Sequence, residues 1–564
     1  MIRRFFSILN KEFGGINEAA FLLGAFALFS QILGLFRDRS LAHFVGPSST
    51  LDIYYAGFRI PDLIFNSVAS LVSITVLIPF FIEKLNKDDS GEGGGHARHF
   101  FNEVFTSFAF FITLVALLVF IFMPKLAHLV APGFGVSEMK DLVTMSRIML
   151  LSPIFLGMSN LFGTVTQIYK RYLVYALAPV FYNLGIIFGI IFLYPKFGKF
   201  GLAYGVALGA LLHMSLQIPV LLRNHFVPII TKRINFAHIK KVFLLSLPRT
   251  LALSLNSFAI AAIVSIASTI REGSISLFNF SYNLQAVPIS IIGVSYSVAA
   301  FPMLAHAFSS GQIENFKKQI ISASRQIIFW SLPIIFLFIV LRAQIVRVIL
   351  GSGQFSWNDT KLTAASLAIF SLSVLAQSLI VLFVRGYYAA GKTRRPLVVN
   401  LVFTALEIAF AFLFLHLFRQ WEGFRFFIES LFRVEDVPGT ELLMLPLGYS
   451  LGTILNFFGL WFLFKKDFLR EHTNSLARTF FQVFAGAFFM GFVAYKFLDI
   501  FDNIFNINTF WGILGQGFFA GIVGIFAGIF VLWLLKNPEF EEVKKAFKHK
   551  FWREKVIVPD QKEL

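Results

Sequence analysis

Apolar runs of about 18 residues or more follow one another along the chain, parted by short polar segments. Each is long enough to cross a hydrocarbon core of roughly 30 Å as a helix. The pattern predicts about 14 spanning helices. They lie near 17–44, 51–84, 100–123, 139–168, 173–194, 200–222, 238–269, 274–308, 320–341, 361–390, 395–418, 441–464, 478–499 and 508–535. Short alternating segments of the kind that build a membrane β-barrel do not fit. The expected fold class is an all-α polytopic membrane protein.

The pattern also repeats. "YKRYLVYALAPVFYNLG" precedes "GLAYGVALGALL", and far downstream "GKTRRPLVVNLVFTALE" precedes "LGYSLGTILNFF". In both places a short basic loop opens one helix and the next carries GxxxG, at Gly205 and Gly209 and again at Gly448 and Gly452. This predicts two six-helix lobes, 17–222 and 238–464, joined by a cytoplasmic linker at 223–237. Six is even, so the lobes form a parallel pseudo-repeat. The segment 419–439 reads as an outer-face amphipathic insertion in the second lobe. Two further helices (478–535), a basic N-terminus (1–16) and a basic tail (536–564) complete the organisation.

Composition agrees: 57% of residues are hydrophobic and 14% charged, against about a quarter charged in soluble domains. The net charge of +18 would suit a nucleic-acid partner, but its placement predicts none. Lys and Arg concentrate in alternate loops and the tail, as expected where cytoplasmic segments face anionic membrane lipid, so both termini are placed inside. Arg342, Arg347, Arg419, Arg425 and Arg433 are the exceptions on the outer side. "KKAFKHKFWREK" is expected to lie on the membrane, inserting Phe547, Phe551 and Trp552. The first apolar run lacks a clear small-residue cleavage site and is expected to be retained as a span. Without cysteine, disulfides and thiol chemistry are excluded.

No HExxH, Walker or GxSxG pattern occurs, and the Gly-rich "SGEGGGHARH" reads as a loop, so no enzyme, metal or cofactor is expected. Polar groups inside helices remain. A charge at a helix centre costs about 2.5 to 3.5 kcal/mol on the insertion scale, so such residues usually face a bundle interior or a watery cavity. Gln31, Arg37, Asp38, Arg39, Asp52, Arg59, Asp62 and Asn66 crowd the first two spans. Arg37 and Asp38 leave the helix about 100° apart, which predicts that they do not pair with each other. Arg39 reads as an interface anchor. Asp52 reads equally as the cap of its own helix or as a site residue, with Arg59 two turns on near the same face. Arg37, Arg59 and Asp52 together would suit an anionic, phosphate-bearing substrate. Arg249 and Asn256 recur seven residues apart in the seventh span, where an interface anchor is the alternative for Arg249. Glu407 is a candidate for binding a coupling cation or proton, or else a structural glutamate.

"SQILGLFRDRSLAHFVGPSSTLDIYYAGFRIPDLIF" resembles the opening signature of the MviN/MurJ family of lipid II flippases, in the multidrug, oligosaccharidyl-lipid and polysaccharide exporter superfamily. "APGF", "ALAPVFYNLG", "FPMLAHAFSSG", "GSGQFSWNDT" and "GYYAAGKTRRP" extend the resemblance over the whole chain. It implies inner-to-outer-leaflet transport of lipid II, an undecaprenyl-pyrophosphate-linked glycan, by alternating access in a bacterial inner membrane. It further implies a cationic cavity for the headgroup, a groove at the last two helices for the lipid tail, and work alongside cell-wall synthesis proteins. Arg37, Asp38 and Asp52 match positions of the family's motif. The chain departs from it at Gln31, Phe65, Tyr282 and Asn283, where charged residues are usual; Arg59 and Arg249 are expected to compensate in part. Gln31, Asn66 and Asn283 are carried as further substrate-binding candidates. Export of a capsule- or O-antigen-type glycan, cation-coupled drug export and a non-transporting scaffold are the alternatives.

Overall fold

The computed structural model describes residues 16–72, 74–89, 95–232, 234–469 and 474–551. The basic segment 1–15, part of the Gly-rich loop and the end of the tail, Trp552 included, lie outside the described residues, as do the side chains of Phe547 and Phe551.

The chain opens with α1 (Ile16–Phe44) and α2 (Ser49–Ser67), followed by a tight 3-10 turn at Ala69–Val72 and α3 (Ile74–Asp89). Next come α4 (His96–Val130), the consecutive α5 (Val136–Met149) and α6 (Leu151–Ile168), α7 (Tyr172–Phe188) and α8 (Phe200–Ser215). After the linker stand α9 (Phe236–Ala267), α10 (Ser274–Pro288), α11 (Ser295–Ser309) and α12 (Ile313–Val340). The chain continues through α13 (Trp357–Ser371), α14 (Val374–Ala389), α15 (Arg394–Gln420), α16 (Glu422–Phe432) and α17 (Met444–Phe468). It closes with α18 (Asn474–Asp502), α19 (Phe510–Leu534) and α20 (Pro538–Phe551). No strand occurs among the described residues.

Every expected apolar run falls on a helix or a broken helix. Among the described residues ten helices are long and apolar enough to cross a membrane, and an eleventh results if α13 and α14, bent by 44°, form one span. The other expected runs fall on α1, on α2 with α3, and on α9. Helix starts are set by short polar side chains: Ser48 accepts from the Leu51 N–H, Asn235 from Ala237 and Thr509 from Gly512.

The chain forms two compact units. The first comprises Met1–Leu284, Ile349–Ser366 and Arg394–Gly452. In it α7 packs on α8 and α1, α2 on α5 and α9, and α9 on α15. The α7–α8 contact is a glycine seam, since a Cβ on Gly205 would lie 2.6 Å from the Cα of Gly189, the residue that follows α7, and one on Gly209 would lie 2.5 Å from the Tyr182 carbonyl oxygen. The second GxxxG does the same work, because a Cβ on Gly448 would meet the Ala411 nitrogen at 2.5 Å and one on Gly452 the Glu407 Cγ at 2.3 Å. Both motifs therefore bring helices of one chain together. The linker is tied to α4, with the N–H groups of Ile229, Thr231 and Asn235 donating to Asn102 Oδ1, Thr106 Oγ1 and Glu103 Oε1 at 3.0, 3.0 and 3.2 Å.

The second unit comprises Gln285–Val348, Leu367–Thr393 and Thr453–Leu564. Here α18 packs along α19 and against α12, with Phe336 set edge-on to Phe484 and Phe488. The short α20 is fastened by Glu539, fully buried, which accepts from Arg325 Nε at 2.5 Å and Thr479 Oγ1 at 2.8 Å.

Candidate functional site

Polar side chains of α1, α2, α7 and α10 meet inside the first unit. Arg37 Nε and Nη2 both donate to Asp38 Oδ1, at 3.0 and 2.9 Å. The expectation that these neighbours do not pair is therefore corrected. A long guanidinium arm bends round the helix, and pairing offsets the cost of burying the Asp38 carboxylate, whose side chain is 4% exposed. Arg37 Nη1 donates to Asn183 Oδ1 at 3.3 Å, and the Asn183 amide donates onward to Ser30 Oγ at 3.2 Å and to the Pro179 carbonyl at 3.1 Å. Asp38, 3% exposed, accepts from Asn283 Nδ2 at 2.9 Å on its other oxygen. One continuous chain of bonds runs Ser30, Asn183, Arg37, Asp38, Asn283.

Four residues before Asn283, on the same face of α10, Asn279 accepts from Arg59 Nη2. The helix thus offers a donor to Asp38 and an acceptor to Arg59. Arg59 Nε and the nearby Tyr55 Oη are buried and make no hydrogen bond among the described residues. Such donors are costly to leave unsatisfied.

Asp52 is not the cap of its own helix; Ser48 is. Asp52, 2% exposed, accepts at 2.7 Å from the Gly273 N–H and at 2.8 and 2.6 Å from the Ser276 N–H and hydroxyl. It caps α10, whose first N–H groups have no partner within their own helix. Arg39 is more than an interface anchor, since its Nη1 donates to the Ile349 carbonyl at 3.1 Å.

Asn66 Nδ2 donates to Ser257 Oγ at 2.6 Å, joining α2 to α9. Gln31 is exposed one and a half turns before Arg37. Arg249 belongs to α9, and its side chain lies outside the described residues. Glu407, 7% exposed, belongs to the α15–α17 seam beside Gly452 rather than to this cluster. The structure thus brings together Arg37, Asp38, Arg59 and Asn283, and adds Asn183, Asn279 and Ser30. An asparagine inside an expected apolar span, in "ALAPVFYNLG" and in "SLFNFSYN", was the available signal for Asn183 and Asn279.

The arrangement offers guanidinium N–H groups held by two amide oxygens and by the Asp38 carboxylate. Phosphate oxygens accept such hydrogen bonds more strongly than amides do.

Residues 41–514 match the family model described as lipid II flippase MurJ. Among curated proteins, the chain is 28% identical to a probable lipid II flippase MurJ of Bdellovibrio bacteriovorus, over 72% of this chain and 77% of that one. It is 24% identical to a probable lipid II flippase MurJ of Buchnera aphidicola, over 89% and 95%. Among solved structures, the fold is similar to an inward closed lipid II flippase MurJ, with a TM-score of 0.70, 20% identity and coverage of 94% of this chain and all of the other. It is also similar to an inward-facing multidrug transporter of the MATE family, with a TM-score of 0.63, 15% identity and coverage of 79% and 96%.

Proposed function

The chain belongs to the lipid II flippase MurJ family, and we propose that it carries lipid II between leaflets by presenting the Arg37–Arg59 cluster to the cargo's pyrophosphate. Lipid II is the substrate and the protein spans the membrane many times. Its place is the bacterial inner membrane, with both termini in the cytoplasm. It makes and breaks no covalent bond. Export of a capsule- or O-antigen-type glycan is not favoured, since the family model and the relatives above carry lipid II in their descriptions.

The buried, unsatisfied Nε of half-buried Arg59 carries this reading. A pyrophosphate oxygen supplies the missing acceptor, and a second displaces the Asn183 carbonyl from Arg37. Asp38 keeps hold of Nε and Nη2, so the guanidinium stays aimed while its third N–H changes partner. Asn283, Asn66 and Gln31 serve the sugar hydroxyls, and Arg249 adds a cation from α9. Asp52 acts at one remove by fixing the start of α10. The two six-helix lobes rock about the loaded site, α18 and α19 take the lipid tail, and Glu407 binds the coupling ion. Cell-wall synthesis proteins receive the product.

Complementation of a strain depleted of its own lipid II flippase tests the reading. The chain is expected to restore growth, and a variant with Arg37→Ala and Arg59→Ala to fail at wild-type abundance in the membrane. Growth restored by a variant neutralised at Arg37, Arg59 and Arg249 together would overturn the anion site, and failure of the unmodified chain despite proper insertion would overturn the cargo.

A further inference from the structure

Away from that cluster, but still in the first unit, a cavity of about 320 Å³ opens where the last turns of α9 and α15 come together. Pro132, Ser265, Thr269, Leu415, His416 and Arg419 line it, and Phe412 stands at its edge with 59% of its surface exposed. Two features show a built wall. The Ala131–Phe134 turn is seated directly on the end of α9, where the Gly133 N–H donates to Ser268 Oγ at 3.1 Å. A Cβ on Gly133 would lie 2.1 Å from the Ser268 carbonyl oxygen, so only glycine permits this approach. On the opposite wall Arg419 is held in place by Glu441, which accepts from Nε at 3.0 Å and Nη2 at 2.8 Å. That grip leaves the Nη1 edge of the guanidinium for another acceptor. The His416 imidazole is a second nitrogen donor on the same rim.

We propose that this pocket binds the phosphate of one bilayer glycerophospholipid. The chemistry is that of a preoriented cation beside hydroxyls, with apolar walls continuing into an exposed apolar face. Phe412 and Leu413 are both exposed on a spanning helix, so that face meets acyl chains. A lipid phosphate satisfies Arg419 Nη1 and the rim, while its glycerol and upper acyl carbons cover Leu415 and Phe412.

The probe is phosphatidylglycerol in detergent micelles holding the full-length protein without cargo, followed by native mass spectrometry. One retained lipid per chain is expected. Arg419→Gln removes the charge-assisted bond and is expected to weaken retention by about tenfold. Ser265→Phe fills the cavity without touching the ion pair and is expected to do the same. Glu441→Gln leaves Arg419 free to serve the lipid and is expected to retain it, which separates a binding loss from a folding loss. Equal retention of diacylglycerol with the same chains would overturn the phosphate reading. Displacement by inorganic phosphate would overturn the lipid assignment, and unaltered retention in both Arg419→Gln and Ser265→Phe would overturn the site.

Discussion

Arg37 spends two N–H groups on Asp38 and one on Asn183, so its contribution to stability and its contribution to transport are separable by experiment. Removing the cation alone strands a buried carboxylate, and breaking such a pair costs about 3 to 5 kcal/mol where burial is complete, less here because Arg37 is partly exposed. The double variant Arg37→Ala, Asp38→Asn is therefore expected to unfold at a higher temperature than Arg37→Ala alone, while transporting no better. Thermal unfolding read beside a flipping assay checks both halves. For Asp52 the expectation reverses. Asp52→Ala leaves the Gly273 and Ser276 donors unsatisfied and is expected to cost about 1 to 3 kcal/mol. Asp52→Asn keeps a carbonyl acceptor and recovers part of that in a denaturation series. The residue types at these positions could be read from the chain, but the partner of Asp52 could not, because Gly273 and Ser276 stand more than two hundred positions away.

Among the helices, the two glycine seams set how closely α8 approaches α7 and α17 approaches α15. Gly205→Leu is expected to force α8 off α7, and since backbone rather than a movable side chain stands in the way, the cost exceeds the roughly 1 to 3 kcal/mol typical of overpacking. Little folded protein at 37 °C by size-exclusion chromatography would be the sign. In α20, Glu539→Gln removes the buried charge that half-buried Arg325 and buried Thr479 bond, and faster protease cleavage after α19 is the expected readout. An exposed tie makes the contrast. The Lys361 ammonium, donating to Asp436, holds that carboxyl below the usual carboxylate range. A lowered value means the stabilisation is present at neutral pH and fades only as pH falls through it. Both groups face solvent, so Lys361→Met is expected to leave the unfolding temperature almost unchanged at pH 7. GxxxG was visible as a motif; that both copies close within one chain depended on which helices the fold brings together.

For the molecule as a transporter, the proposed binding of a coupling cation or proton at Glu407 has a direct test. Glu407→Gln is expected to make flipping in vesicles insensitive to an imposed cation or proton gradient while leaving lipid II binding intact. The helical class, the succession of apolar helices and the repeat of basic loop followed by GxxxG were all legible in the sequence, because a hydrocarbon solvent forces each spanning segment to satisfy its own backbone and so writes itself into local hydropathy. Of the roughly 14 spans expected, ten or eleven are long and apolar enough among the described residues. The crowding of charge into the first two spans was equally plain. Only the tertiary structure decided that Arg37 turns back onto Asp38, that Asp52 caps another helix, and that Asn183 and Asn279 complete the cluster. Those choices depend on desolvated groups finding whichever complementary partner the packing supplies, and hydropathy along a chain carries no record of what lies across an interface.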